Sequence, residues 1–323
     1  MLKPFWYGVG LASMASVVGN LGIALQKLSH ARNPSRSCYK RPLWLSGLGL
    51  IILASLADFV ALGLAAQSVV APLGSLTLVA NSIFAPLLLG ETFTRWDAFS
   101  TILIVFGTST TISFASQENA DFTIQELNGM FFDFRFLLLL MSLLAFGLVM
   151  LSFISVIEAT DSNPFERSSS VIKTHALLYA ALAGTIGSQN VMFAKSIAVL
   201  TRNWLFKGLS PFDYWEVYVL IGCLSATSIL QIRWINKALK LYDAIFVVPV
   251  FEVFWVVISV ISGLVFFQEY REFDIFRGSM FLIGLILTII GIGLMTRHKI
   301  DMDEFETQLL QQLDRRRETE ALI

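Results

Sequence analysis

The sequence predicts an all-α polytopic membrane protein of nine transmembrane helices, built as two inverted four-helix repeats joined by one connector helix. Three observations carry that expectation. The 323-residue chain is 55% apolar and only 15% charged, where soluble domains carry about 25% charged residues, and its mean hydropathy is +0.70. Apolar runs of about 20 residues, the length that crosses a hydrocarbon core of about 30 Å, recur along the chain. Short segments also recur in the same order in both halves, as in internally duplicated membrane folds.

Taken in order, the spans are 5–28, 43–66, 69–90, 97–116, 134–157, 175–200, 214–236, 244–267 and 275–296. Only Lys3 precedes the first, and charge rather than a small-residue cleavage site follows it, so it reads as a retained span and not a leader. Residues 43–90 contain a single charge, Asp58. As one helix they would extend about 72 Å, far beyond the hydrocarbon core, so the chain must turn back around Gln67 and Ser68. An acidic loop with Glu118, Asp121 and Glu126 precedes the fifth span. A short basic break at 237–243 separates the seventh from the eighth, and tight connections of this kind are ordinary between antiparallel helices. The expected organisation is therefore a first repeat at 1–116, a loop, connector helix and loop at 117–174, a second repeat at 175–296 and a polar tail at 297–323.

Charge sets the orientation. Of the 23 Lys and Arg residues, Lys3, Arg135, Arg202, Lys207, Arg271 and Arg277 fall on one face, Lys195 lies inside a span, and the other sixteen fall on the opposite face. The positive-inside rule then puts the N-terminus outside or in a lumen and the C-terminal tail in the cytosol. A net charge of -1 with no basic stripe excludes a nucleic-acid partner. Cys38 and Cys223 supply neither a disulfide framework nor a zinc site. His30, His175 and His298 are isolated and no HExxH or GxSxG occurs, so neither catalysis nor a cofactor is expected.

The duplication shows in two places. GNLGIALQK (19–27) aligns with GSQNVMFAK (187–195), each running from small residues to a lysine at equal spacing. Ala61-Leu62-Gly63-Leu64, Pro72 and Glu91 align with Ala238-Leu239-Lys240-Leu241, Pro249 and Glu269, the proline-to-glutamate interval being 19 residues in one copy and 20 in the other. One odd span between two four-span units reverses the second unit in the bilayer, giving the inverted topology on which alternating access is built.

The segments LADFVALGLAAQSVVAPLGSLTLVANSIFAPLLLGE (56–91) and INKALKLYDAIFVVPVFEVFW (235–255) resemble the two signature regions of NIPA-type magnesium transporters, within the drug/metabolite transporter superfamily. APLGSL (71–76) and NKAL (236–239) are the most specific pieces, and the similarity extends to about Arg297. The resemblance implies a nine-span fold with an outer N-terminus and an alternating-access or channel-like pathway for divalent cations, chiefly Mg²⁺, as transported substrate rather than cofactor. Asp58 stands where that family's pattern suggests Asn, and Glu252 where it suggests Tyr, so this chain adds two carboxylates.

Ionisable side chains within the hydrocarbon zone are costly and are functional candidates by default. They are Asp58, Lys195 and Glu252. Asp58 and Glu252 each lie eight residues from a span end, about 12 Å deep, approaching the midplane from opposite leaflets. As metal ligands they suit a hard cation that takes oxygen ligands and keeps several waters; the alternative is an interhelical ion pair with Lys195. Asn20, Asn81, Gln189 and Asn190 complete the expected pathway, with interhelical hydrogen bonding as the competing role for each. Glu91 and Glu269 read as solvated span-end carboxylates. Glu318, Leu322 and Ile323 resemble an acidic dileucine sorting signal, an address read by an adaptor, with chance occurrence as the alternative. The expected residence is accordingly the plasma membrane or an endosomal, lysosomal or vacuolar membrane, with a homodimer left open. Two other functions fit the same sequence: a metabolite carrier whose Lys195 engages an anionic solute, and a non-transporting receptor or scaffold acting through its tail.

Overall fold

The computed structural model describes residues 4–32, 40–89, 93–117, 121–160, 169–242 and 244–296. Among these residues every regular element is helical. The helices are α1 (Pro4–Arg32), α2 (Pro42–Leu64), α3 (Gln67–Gly74), α4 (Leu76–Phe84), α5 (Arg95–Phe114), α6 (Ile124–Phe131), α7 (Phe134–Thr160), α8 (Ser169–Lys207), α9 (Trp215–Leu241) and α10 (Ala244–Phe266), followed by α11 (Ile275–Thr296). A π-helical turn at Ala85–Leu89 extends α4, and a 3₁₀ turn at Glu269–Glu272 joins α10 to α11.

Among the described residues eight helices are long and apolar enough to cross a membrane, α3, α4 and the start of the π turn counting as one broken span, Gln67–Leu88. The expected sixth span is covered by α8, the longest helix at 39 residues. It falls outside that set by composition, because Thr185, Ser188, Lys195 and Ser196 on it are buried against other helices instead of facing lipid. α7 shows the converse: only Phe136, Met150 and Ile154 are buried along its 27 residues, while Leu138, Met141, Leu148 and Phe153 are exposed. In a bilayer those side chains meet acyl chains, so the connector helix stands at the periphery.

Two boundaries differ from the sequence expectation. The turn after α2 lies at Ala65–Ala66, and Gln67 and Ser68 already belong to α3. The loop before the fifth span contains α6, started by a capping box in which Thr123 and Glu126 exchange side-chain and backbone hydrogen bonds. The signal, Thr followed three residues later by Glu, was readable.

Small residues set the helix spacing. Gly22 on α1 and Gly47 on α2 face each other so closely that a Cβ on either would stand 2.6 Å from the other's carbonyl oxygen. The α5–α11 crossing repeats this device in reciprocal form: a Cβ on Gly107 would meet the Thr288 amide at 2.6 Å, and one on Gly284 the Thr111 amide at 2.6 Å. Thr111 and Thr288 each return a hydroxyl hydrogen bond to the glycine carbonyl one turn earlier, at 3.0 Å. α1 packs on α2 and α4, as α8 packs on α9 and α10, and α3 and α2 reach across to α10 and α8. At the end of the bundle opposite the α2–α3 turn, Glu158 on α7 accepts hydrogen bonds from Tyr179 on α8 and, at 3.1 Å, from Lys237 on α9.

Candidate functional site

Between the two halves of the chain lies a cavity of about 380 Å³. Ser16 (α1), Asp58 (α2), Gly74 (α3) and Thr77 (α4) line it from one side; Gly187 and Asn190 (α8), Gln231 (α9) and Glu252 (α10) line it from the other. Both intramembrane carboxylates therefore open into one space, and no lysine, arginine or histidine is among its lining residues.

The local sequence explains how this space is kept. α3 runs through Pro72 and ends at Gly74, and the chain turns at Ser75 before α4 begins at Leu76. The Ser75 hydroxyl donates to the Pro72 carbonyl at 2.6 Å, and the Ser16 hydroxyl donates to the Leu73 carbonyl at 3.0 Å, tying α1 to the break. Gly74 lets the break approach α10: a Cβ there would stand 2.7 Å from the Trp255 ring and 3.6 Å from Glu252 Oε1. Gly187 does the same for α9, since a Cβ would lie 2.7 Å from the Gln231 amide carbon.

Lys195 does not join the cavity. It is fully buried and donates to Glu269 Oε1 at 2.6 Å, with its ammonium 4.4 Å from the centre of the Phe267 ring. The ion pair weighed from the sequence, Lys195 with Asp58 or Glu252, is not formed: Lys195 pairs with Glu269 instead. Glu269 is likewise no solvated span end: it is buried and also accepts from the amides of Gln67 at 2.8 Å and Ser68 at 3.1 Å, the first two residues of α3. Ala66, at the N-cap of α3, offers no side-chain cap, so a carboxylate from the other half satisfies the helix start, where negative charge is favoured. Burial pushes the Glu269 carboxyl up, but the Lys195 charge and these hydrogen bonds outweigh it and hold the group below the usual carboxylate range. An anionic solute would have to displace Glu269 from Lys195, which removes the footing of the metabolite-carrier reading.

The remaining expected residues divide. Asn190 lines the cavity. Gln189 turns away and donates from Nε2 to Ser262 on α10 at 3.1 Å, the interhelical role. Asn20 is buried and Asn81 half-buried, and neither lines the cavity. Glu91 and the tail residues Glu318, Leu322 and Ile323 lie outside the described residues. Ser16, Thr77 and Gln231 were not among the expected pathway residues. The signal for Gln231 was a lone amide in an apolar span; the two hydroxyls carry none, because serine and threonine are common in membrane helices.

A bundle of membrane-crossing helices with an acidic cavity between its halves, lined by no basic side chain, defines the class as a polytopic membrane protein with a polar interior site. The sequence family described as Magnesium transporter NIPA matches residues 3–301, and the chain belongs to that family. Among curated relatives, "Probable magnesium transporter NIPA8" of Arabidopsis thaliana is 30% identical over 89% of this chain and 68% of its own length. "Magnesium transporter NIPA4" of Mus musculus is 26% identical over 93% of this chain and 72% of its own. "NIPA-like protein 2" of Mus musculus is 25% identical over 91% and 74%. No solved structure matches the chain.

Proposed function

We propose that this protein moves Mg²⁺ across a membrane, with the cavity between its halves as the ion site and Asp58 and Glu252 as its charge. The meeting of those two carboxylates in one space free of basic side chains carries the reading. Two carboxylates match the charge of one divalent cation. Mg²⁺ dehydrates reluctantly and keeps several waters, and six waters occupy about 180 Å³ at about 30 Å³ each, so a cavity of about 380 Å³ accommodates the ion with its shell. A divalent ion crossing 100 mV gains about 4.6 kcal/mol, so the membrane potential suffices and no coupling ion is needed.

The architecture behind this function is nine spans, α8 being the ninth, with the N-terminus outside and the tail in the cytosol. The matching α1–α2 and α8–α9 packing and the reciprocal Gly107–Gly284 crossing support two inverted repeats related across α7. In that orientation the Lys195–Glu269 pair, with Arg202 donating to the Gly63 carbonyl and reaching Asp121 at 3.5 Å, closes the outer side above the cavity. Opening outward would require that layer to part, as alternating access demands.

The test is Mg²⁺ flux into proteoliposomes holding the purified protein under an imposed inside-negative potential. The wild type should pass Mg²⁺, and Asp58→Asn and Glu252→Gln should each cut the flux at least about tenfold, the effect of losing about 1.4 kcal/mol of site electrostatics. Wild-type vesicles that pass no Mg²⁺, or variants that match them, would overturn the proposal.

A further inference from the structure

The Asn190 amide has two chemically opposite ends, and which end meets a cation decides whether the residue attracts or repels it. Asn190 Nδ2 donates to Ser228 Oγ at 2.9 Å and to Gln231 Oε1 at 3.4 Å, both on α9. The Ser228 hydroxyl has one proton, and it donates that proton to the Leu224 carbonyl one turn earlier, at 2.8 Å. Ser228 therefore has only lone pairs to offer Asn190, and only the NH₂ end of the amide can meet it. Nδ2 is held against α9, and Oδ1, which has no protein hydrogen-bond partner among the described residues, remains for the cavity that Asn190 lines. Gly187, one turn before Asn190, lets Gln231 lie close enough to accept the second amide proton.

We infer that Ser228, which does not line the cavity, is a positioning residue for the cation site: its hydroxyl fixes the polarity of Asn190 so that an amide oxygen, and not an NH₂ group, faces the hydrated ion beside Asp58 and Glu252. The inference rests on the ion-site reading proposed above. An oxygen there accepts a hydrogen bond from a water of the Mg²⁺ shell, whose protons point outward. An NH₂ group would set donor against donor next to a positive charge. Thr rather than Ser at 228 would preserve the device, because both hydroxyls bond the carbonyl one turn back, as Thr185 and Thr227 do at 2.8 Å.

Ser228→Val and Ser228→Thr are nearly isosteric and differ in the hydroxyl, so comparing them separates polarity from packing. In the proteoliposome flux assay, Ser228→Val should raise the KM for Mg²⁺ about fivefold at little change in maximal flux, the effect of about one hydrogen bond. Ser228→Thr should restore the wild-type KM. In an Asn190→Asp background, where both ends are oxygen, Ser228→Val should change KM no further. A KM for Ser228→Val equal to that of Ser228→Thr, or an undiminished effect in the Asn190→Asp background, overturns the role of Ser228 while the ion site stands. Failure of the site itself reads differently, as unchanged flux in Asp58→Asn and Glu252→Gln. If Ser228→Val does not fold, the comparison moves to Ser228→Ala against Ser228→Thr with the same outcomes.

Discussion

Glu269 shows how one residue's role depends on partners that its own sequence neighbourhood does not contain. It opens the 3₁₀ turn after α10, an apparently solvated position, yet it is buried, caps α3 and neutralises Lys195 from 74 residues away. Removing one partner of such a pair strands a buried charge, at about 3–5 kcal/mol, whereas removing both is far less costly. Lys195→Met should therefore lower the thermal midpoint of the detergent-solubilised protein sharply, and Lys195→Met combined with Glu269→Gln should recover most of the loss. The pair also predicts a pH response. A carboxyl depressed in the folded state stabilises fully above the ordinary carboxylate range, and this contribution is lost as pH falls through the depressed value. Wild-type stability should thus lose an acid-side term that the double variant lacks; equal acid slopes in the two proteins would refute the assignment. Asp58 and Glu252 were legible as lone charges in apolar runs, because lipid makes such charges expensive. Their convergence, and the choice of Glu269 over them by Lys195, were not, because both depend on which helices touch.

Among the elements, the α5–α11 crossing makes the strongest demand on sequence. Gly107 and Gly284 each leave less than 3 Å between a would-be Cβ and the other helix's backbone, a gap that cannot be widened without moving a helix. Gly107→Ala and Gly284→Ala should each destabilise by about 1–3 kcal/mol through overpacking. Gly10→Ala on α1 and Gly293→Ala on α11, with nothing within 4 Å of the new methyl, should be neutral or gain up to about 1 kcal/mol from helix propensity. Thermal unfolding of the four variants checks the contrast. The repeated Gly-x-x-x-Thr of this crossing stood in the sequence, but many glycines here line helices without close contact, so spacing alone did not distinguish the pair. The break after α3 was better marked, since Pro72 and Gly74 sit within three residues of each other. α8 was legible as the apolar run 175–200, although its buried polar residues make it less apolar than the other spans.

At the scale of the whole molecule, the proposed topology places α6 and the α9–α10 turn on opposite sides of the membrane. In a variant freed of Cys38 and Cys223, Gln125→Cys on α6 should react with an impermeant thiol reagent added to intact cells, and Lys240→Cys near the end of α9 only after permeabilisation. The reverse pattern, or equal labelling, would overturn the nine-span, N-outside arrangement. The sequence by itself determined that the chain is a helical membrane protein, the approximate spans, the resemblance to a family and the two carboxylates within apolar spans, because lipid imposes composition and period on every crossing segment. Tertiary structure alone decided that those carboxylates share a cavity, that Lys195 is withdrawn from it by Glu269, and that Ser228 sets the polarity of Asn190. Side-chain direction and the meeting of distant helices follow from packing at a few close glycine contacts, and no local stretch of sequence contains that information.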